Sequence, residues 1–142
     1  MHFACTIDSD LGELVRVKDE VARALDPLSP SRQCLADTLL IVEEVLSNIV
    51  RHGHGGEPGH EILLDLHHDD GILTLRFEDC APAFDPTAHT RASAPGPDDE
   101  REAMPMGGVG IVLVREMAET VDYRRQDGRN CLTIRQRMSR DG

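Results

Sequence analysis

Glu61-Ile62-Leu63-Leu64-Asp65-Leu66-His67 and Ile72-Leu73-Thr74-Leu75-Arg76-Phe77-Glu78-Asp79 decide the architecture of this chain. Both runs place apolar side chains at alternate positions, the period of a strand with one buried face. Asp69-Asp70-Gly71 separates them, and an Asp-Gly pair supplies the left-handed backbone of a tight hairpin turn. Two antiparallel strands are predicted.

Ahead of this hairpin the apolar period lengthens to that of a helix. Leu11, Leu14, Val15, Val21 and Leu25 fall near one stripe, with Ser9 or Asp10 as the cap and Pro27 as the stop. A second helix of roughly twenty residues opens at Ser29 before Pro30 and carries Leu35, Leu39, Val42, Leu46, Ile49 and Val50. It ends in Gly53, Gly55 and Gly56, where left-handed backbone is cheap. The opening residues through Thr6 add an edge strand.

Beyond the hairpin, Pro82, Pro86, Pro95, Pro97 and Pro105, with the acidic run Asp98-Asp99-Glu100, mark a long loop from Pro82 to Met106. After Gly107, Gly108 and Gly110, the residues Ile111, Val112, Leu113, Val114, Met117 and Ala118 predict a short buried helix. Strands over Thr120 to Gln126 and Asn130 to Arg137 flank an Asp127-Gly128 turn. The order helix, helix, strand, strand, loop, helix, strand, strand predicts a single α/β domain over residues 1–142. Its form is a two-layer sandwich, a mixed, mostly antiparallel sheet covered on one face by helices.

With 142 residues and a formal net charge of −11, the chain has the length for one core without disulfides or metal. Its charge repels nucleic acid and anionic membrane, so neither is expected as a direct partner. Magnesium-bound nucleotide stays admissible, because a divalent cation and a few backbone amides override the net field locally. Cys5, Cys34, Cys80 and Cys131 lack paired spacing, which argues against a zinc knuckle, and free thiols fit a reducing cytoplasm. No stretch reaches membrane-spanning length and no basic leader precedes an apolar core.

Glu44, Asn48 and His52 recur at four-residue intervals and share a helix face. Two readings fit that spacing. In one, Glu44 accepts a proton from a nucleophile while the Asn48 carboxamide oxygen coordinates magnesium; in the other, the three form a polar face closed by a histidine. Asp79 ends an apolar strand ahead of Cys80-Ala81-Pro82. Facing a pocket, it would accept a hydrogen bond from an adenine amino group, with the small Ala81 leaving room for the ring; otherwise it caps a turn. Gly107-Gly108-Val109-Gly110 enters a helix, where backbone amides suit phosphate, although glycines serve equally as hinges. His52, His54, His60, His67 and His68 read as loop and surface residues.

In chain order these segments resemble one family. Glu44-Val45-Leu46-Ser47-Asn48-Ile49-Val50-Arg51-His52-Gly53 resembles the N box of the GHKL ATPase and kinase superfamily. Asp79-Cys80-Ala81-Pro82-Ala83-Phe84-Asp85-Pro86 is similar to its first glycine box in the form used by anti-sigma-factor kinases. Gly107 to Arg115, with Asp122-Tyr123 and Gly128-Arg129-Asn130, resembles the second box and closing strands. The likeness covers nearly the whole chain and points to RsbW/SpoIIAB-like anti-sigma factors and serine kinases, which have the Bergerat, or histidine-kinase-like ATPase, fold.

The resemblance implies ATP and Mg2+ as ligands. Glu44 would be the general base toward a partner serine, Asn48 the magnesium ligand and Asp79 the adenine acceptor, with Ala81 beside the ring. Gly107, Gly108 and Gly110 would frame the phosphates at the end of an ATP lid over about residues 86–107. Asn130 takes the place of a small polar residue near the adenine-binding waters. The resemblance further implies a cytoplasmic homodimer that phosphorylates a STAS-domain anti-anti-sigma protein and holds or releases a sigma factor by partner switching. Two departures keep a noncatalytic, nucleotide-gated binding module open as the alternative. Ala81 stands where the wider superfamily has Gly, which requires a negative φ there. The lid is acidic, and Arg91, Arg101 and Arg115 are its candidates for the γ-phosphate without an assigned geometry.

Overall fold

The computed structural model describes residues 1–53, 55, 57–83 and 112–139, and in it the alternating runs are strands. These are β1 (His2–Asp8), β2 (Glu61–Asp69), β3 (Ile72–Asp79), β4 (Thr120–Gln126) and β5 (Arg129–Arg137), in one sheet of order β1-β2-β3-β5-β4. The pairings among the described strands are antiparallel throughout, so the mixed character expected of the sheet is not found there. Both Asp-Gly turns behave as their sequence demands. Asp70 and Gly71 have φ of 56° and 78°, Asp127 and Gly128 of 51° and 75°, the left-handed pair of a two-residue hairpin. Because β5 inserts between β3 and β4, its first residues lie against the end of β3, the placement on which the site depends.

Ile62, Leu64, Leu66, Leu73, Leu75, Phe77, Leu132 and Ile134 form the buried face of the sheet, each contributing roughly 1.5–3 kcal/mol when its side chain leaves water. Helices α1 (Leu14–Leu25) and α2 (Arg32–Asn48) cover that face and join the same core. In α1 the buried row is Val17, Val21 and Leu25, with Leu14 partly buried, whereas Val15, expected on the stripe, is 80% exposed. Leu14, Val17, Val21 and Leu25 keep steps of three and four residues; Val15 lies outside that row. Asp10, not Ser9, caps the turn that leads into α1, accepting from the Gly12 amide at 3.0 Å. Ser9 is fully buried and ties the segment before β2, donating to the Glu57 carbonyl at 2.7 Å and accepting from the His60 amide at 3.0 Å.

The cap of α2 is Ser31 rather than the expected Ser29. Ser31 is extended and its Oγ accepts from the Cys34 amide at 3.0 Å, a cap worth about 1 kcal/mol. Ser29 instead closes the preceding turn in the left-handed region, at φ 49°. Farther along α2, buried Thr38 donates to the Gln136 Oε1 at 2.7 Å and lies 2.9 Å from the Cys34 carbonyl, locking the helix to β5. At its end α2 runs into a π-helical turn, Ile49–Gly53. Gly53 does not take the left-handed φ expected of it, although Gly55 does at 61°; Gly56 lies outside the described residues.

Residues 112–117 form the third helix, α3, with Val114 fully buried and Met117 and Ala118 packed against the core. Val112 and Leu113 are 43% and 40% exposed, so the helix buries one side rather than its whole circumference. Ile111, the lid, and Gly107, Gly108 and Gly110 lie outside the described residues. Among those described, no helix is long and apolar enough to cross a membrane.

Candidate functional site

The end of α2 and the adjoining ends of β3 and β5 line a small cleft of about 20 Å³. Val45, Ile49 and Leu132 give it apolar walls; Asn48, Asp79, Asn130 and Tyr123 bring the polar groups, and Gly53 completes the lining. In composition these are the apolar walls and few convergent polar atoms of a small-molecule site, although the cleft as it stands has room for about one water. Of the residues predicted from sequence, the fold thus brings Asn48, Asp79 and Asn130 to one place.

Asp79 and Asn130 are directly opposed in the β3–β5 register, and both are buried. Asp79 Oδ1 accepts from the Ala81 amide at 2.9 Å and from Asn130 Nδ2 at 3.1 Å. No hydrogen bond from the described residues reaches the other oxygen, Oδ2, which is left to accept from a ligand. Asn130 Nδ2 also faces the carbonyls of Ala81 and Pro82, at 3.2 and 3.1 Å. The turn after β3 is thereby bound to β5. Ala81 is buried, and among the described non-glycine residues positive φ occurs at Ser29, Asp70 and Asp127. Alanine therefore meets the conformational condition set for its position, and its methyl packs toward Gly53.

Across the cleft, Asn48 is 7% exposed and its Oδ1 has no hydrogen-bond partner among the described residues. A buried carbonyl oxygen without a donor is disfavoured by about 1–3 kcal/mol unless something else fills its lone pairs. Magnesium, which takes oxygen ligands and keeps part of its shell as water and phosphate, fits that atom.

Glu44 sits one helical turn before Asn48, half-buried, and is not among the residues that line the cleft. Burial pushes its carboxyl above the ordinary glutamate range, the neighbouring Glu43 carboxylate adds to the rise, and Arg51 opposes it. Glu43 is held by Lys18 at 2.6 Å. His52 falls in the π turn, outside the cleft lining. Arg115 is exposed and borders a separate surface hollow with Glu119 and Asp122; Arg91 and Arg101 lie outside the described residues.

Two residues with a part in the site were not assigned one from sequence. Tyr123 donates to Asn130 Oδ1 at 2.5 Å, and Arg125 Nη1 donates to the same oxygen at 3.1 Å and to the Ala81 carbonyl at 2.7 Å. Their signal was the alternation of β4, which puts Val121, Tyr123 and Arg125 on one face. Reading it required knowing that β5, and not β4, lies beside β3.

Comparison with known proteins identifies the family of the chain. Residues 7–136 match the family described as histidine kinase-like ATPase domain. Over 101 residues the chain is 29% identical to the serine-protein kinase RsbW of Listeria innocua, covering 69% of this chain and 63% of that protein. Over 97 residues it is 36% identical to the serine/threonine-protein kinase BtrW of Bordetella bronchiseptica, covering 67% and 65% respectively. The matched region thus spans less than two thirds of either relative. Among solved structures, the RsbU and RsbW domains of a Mycobacterium tuberculosis protein superpose with a TM-score of 0.70 at 14% identity, over 100% of this chain and 34% of that one. At that identity the likeness is one of fold.

Proposed function

The chain belongs to the histidine kinase-like ATPase domain family and resembles its RsbW/SpoIIAB anti-sigma kinases, and from that premise we propose that it is a serine kinase acting on a STAS-domain anti-anti-sigma protein. The observation that carries this reading is the pair of acceptors on one cleft, Asp79 Oδ2 on the sheet side, which no hydrogen bond from the described residues reaches, and buried Asn48 Oδ1 on the helix side, without a donor among them. Asp79 receives the adenine amino group between Val45, Ile49 and Leu132, with Ala81 supporting the turn, and Asn130 holds Asp79 in place. Asn48 holds Mg2+, whose chemistry is to neutralise the phosphate oxygens of bound ATP. The family resemblance assigns Gly107, Gly108 and Gly110, at the end of the lid over about residues 86–107, to framing the phosphates.

Glu44 takes or orients the proton of the partner serine. Its raised carboxyl suits a base, because a weaker conjugate acid makes a better proton acceptor. The γ-phosphoryl group passes to the serine oxygen and ADP leaves, with positioning supplying most of the acceleration. The added charge on the partner then weakens its association, which frees this chain to hold a sigma factor. The protein works in the cytoplasm as a homodimer.

A second reading, a noncatalytic nucleotide-gated binder, is favoured by one observation: Glu44 is set back from the cleft lining. Labelled ATP, a purified STAS-domain protein encoded beside this gene, and Glu44→Ala as control separate the two. Transfer to one serine, lost in the variant, is the expected result; magnesium-dependent binding without transfer to any such partner favours the binder.

A further inference from the structure

A cleft of about 20 Å³ is too small for a purine, since small-molecule sites run to about 300 Å³ and upward. A wall must yield before a base can enter. Of the described residues that line the cleft, Val45, Asn48, Ile49, Asp79, Asn130 and Leu132 are buried, and in a close-packed interior none moves without its neighbours. The helix α2, which carries the first two, is also locked to β5 through Thr38 and Gln136. Gly53 has no side chain to withdraw and is seated against Ala81. Tyr123 differs on each count. It stands on β4, an edge strand that pairs with β5 alone among the described strands; it is partly exposed, and it brings the largest side chain of the lining.

The hydrogen bond by which Tyr123 holds the site is one that the site can spare. Its hydroxyl donates to Asn130 Oδ1 at 2.5 Å, and Arg125 Nη1 donates to the same oxygen at 3.1 Å. When the tyrosine leaves, that oxygen keeps a donor, and Asn130 Nδ2 keeps its bonds to Asp79 and to the turn after β3. Water takes over at the released hydroxyl.

We propose that Tyr123 is the gate of the cleft: its ring closes the site in the ligand-free chain and turns outward, past the edge of the sheet, to admit a base. The proposal rests on the nucleotide-binding reading above and adds to it the step that controls entry. A gate that is mostly shut lowers the apparent affinity in proportion to the fraction of open chains, so its removal tightens and speeds binding. Loss of a residue that merely walled the cleft does the opposite, because contact with the ring goes with it.

The experiment is stopped-flow and calorimetric binding of magnesium-ATP to the parent, Tyr123→Ala and Tyr123→Phe. Tyr123→Ala is expected to bind about tenfold faster and more tightly than the parent, and Tyr123→Phe, which keeps the ring but not the latch, to fall between them. The sequence supplies an independent probe. With one tyrosine and no tryptophan, intrinsic fluorescence reports on Tyr123, and its quenching by acrylamide, read from lifetimes, should increase as magnesium-ATP saturates the parent. If Tyr123→Ala does not fold, Tyr123→Phe and this quenching decide. A parent that binds the nucleotide while Tyr123→Ala binds it equally or more weakly, or with quenching unchanged, overturns the gate and leaves the nucleotide reading standing. Binding by Tyr123→Ala and not by the parent supports the gate in its strictest form. Absence of binding by the parent and both variants overturns the gate and the nucleotide reading together.

Discussion

Gly53 and Ala81 meet so closely that a methyl group at position 53 would lie 3.2 Å from the Ala81 Cβ and 3.8 Å from Ile49 Cγ2. The end of the helix α2 and the turn after β3 are thus fitted to each other by one missing and one present methyl. Gly53→Ala is expected to destabilise the fold by about 1–2 kcal/mol through overpacking. Adding Ala81→Gly should return most of that loss, although Ala81→Gly alone also destabilises. Chemical denaturation of the four members of this cycle measures the coupling, and additive changes would show that the two residues do not press on each other.

Asn48 separates binding from stability. Its Oδ1 already lacks a partner, so Asn48→Ala deprives the apoprotein of no hydrogen bond at that atom. Thermal unfolding without ligand should shift by only about 1 kcal/mol in either direction, while magnesium-ATP affinity falls by tenfold or more. Equal affinity of variant and parent in the presence of magnesium would remove Asn48 from the metal assignment.

The raised carboxyl of Glu44 predicts two pH effects of opposite sense. As a base it must be ionised, so transfer should rise with pH along an acid limb that lies above the ordinary glutamate range. Glu43→Gln removes the adjacent carboxylate and moves the limb to lower pH. Stability runs the other way: the folded chain holds this proton more tightly than the unfolded chain does. The contribution favouring the fold is present below the unfolded value and is lost as pH rises through the raised folded value. Glu44→Gln should flatten the fall in stability over that window, as read from denaturation midpoints at successive pH values.

Thr38 tests the lock between α2 and β5. Thr38→Val keeps the shape but leaves Gln136 Oε1 buried without that donor, at an expected cost of about 1–3 kcal/mol. Thr38→Ser, which keeps the hydroxyl, should lose less. Since α2 carries Asn48 and β5 carries Asn130, nucleotide affinity should fall together with stability in the valine variant.

The parts of this fold that were legible in sequence are those fixed by local chemistry. The Asp70-Gly71 and Asp127-Gly128 turns each state their own φ, and the strand periods around them survive folding nearly residue for residue. The errors fall where neighbours decide. Ser29 and Ser31 are equivalent capping residues on paper, and only the backbone around Pro30 selects the second. Val15 and Val17 are alike in hydropathy, and packing picks Val17. In the site, Asn48 and Asp79 were readable as chemistry, and Asn130 was singled out through family resemblance. The roles of Tyr123 and Arg125 needed the strand order, because they act on a residue across the sheet rather than along the chain.

The Asp127-Gly128 turn lies two residues from Asn130, and the strand pairing counts from it: Gln126 meets Arg129, and Arg125 meets Asn130. One residue inserted or deleted there would shift β4 against β5 and carry Tyr123 and Arg125 away from Asn130, because side chains alternate along a strand, while β3 keeps β5 in register. Descendants of this sequence are therefore free to exchange many surface side chains of β4 but not to change the length of its hairpin. Drift by substitution leaves the cleft intact, whereas a single codon gained or lost at this exposed turn removes the β4 partners of Asn130.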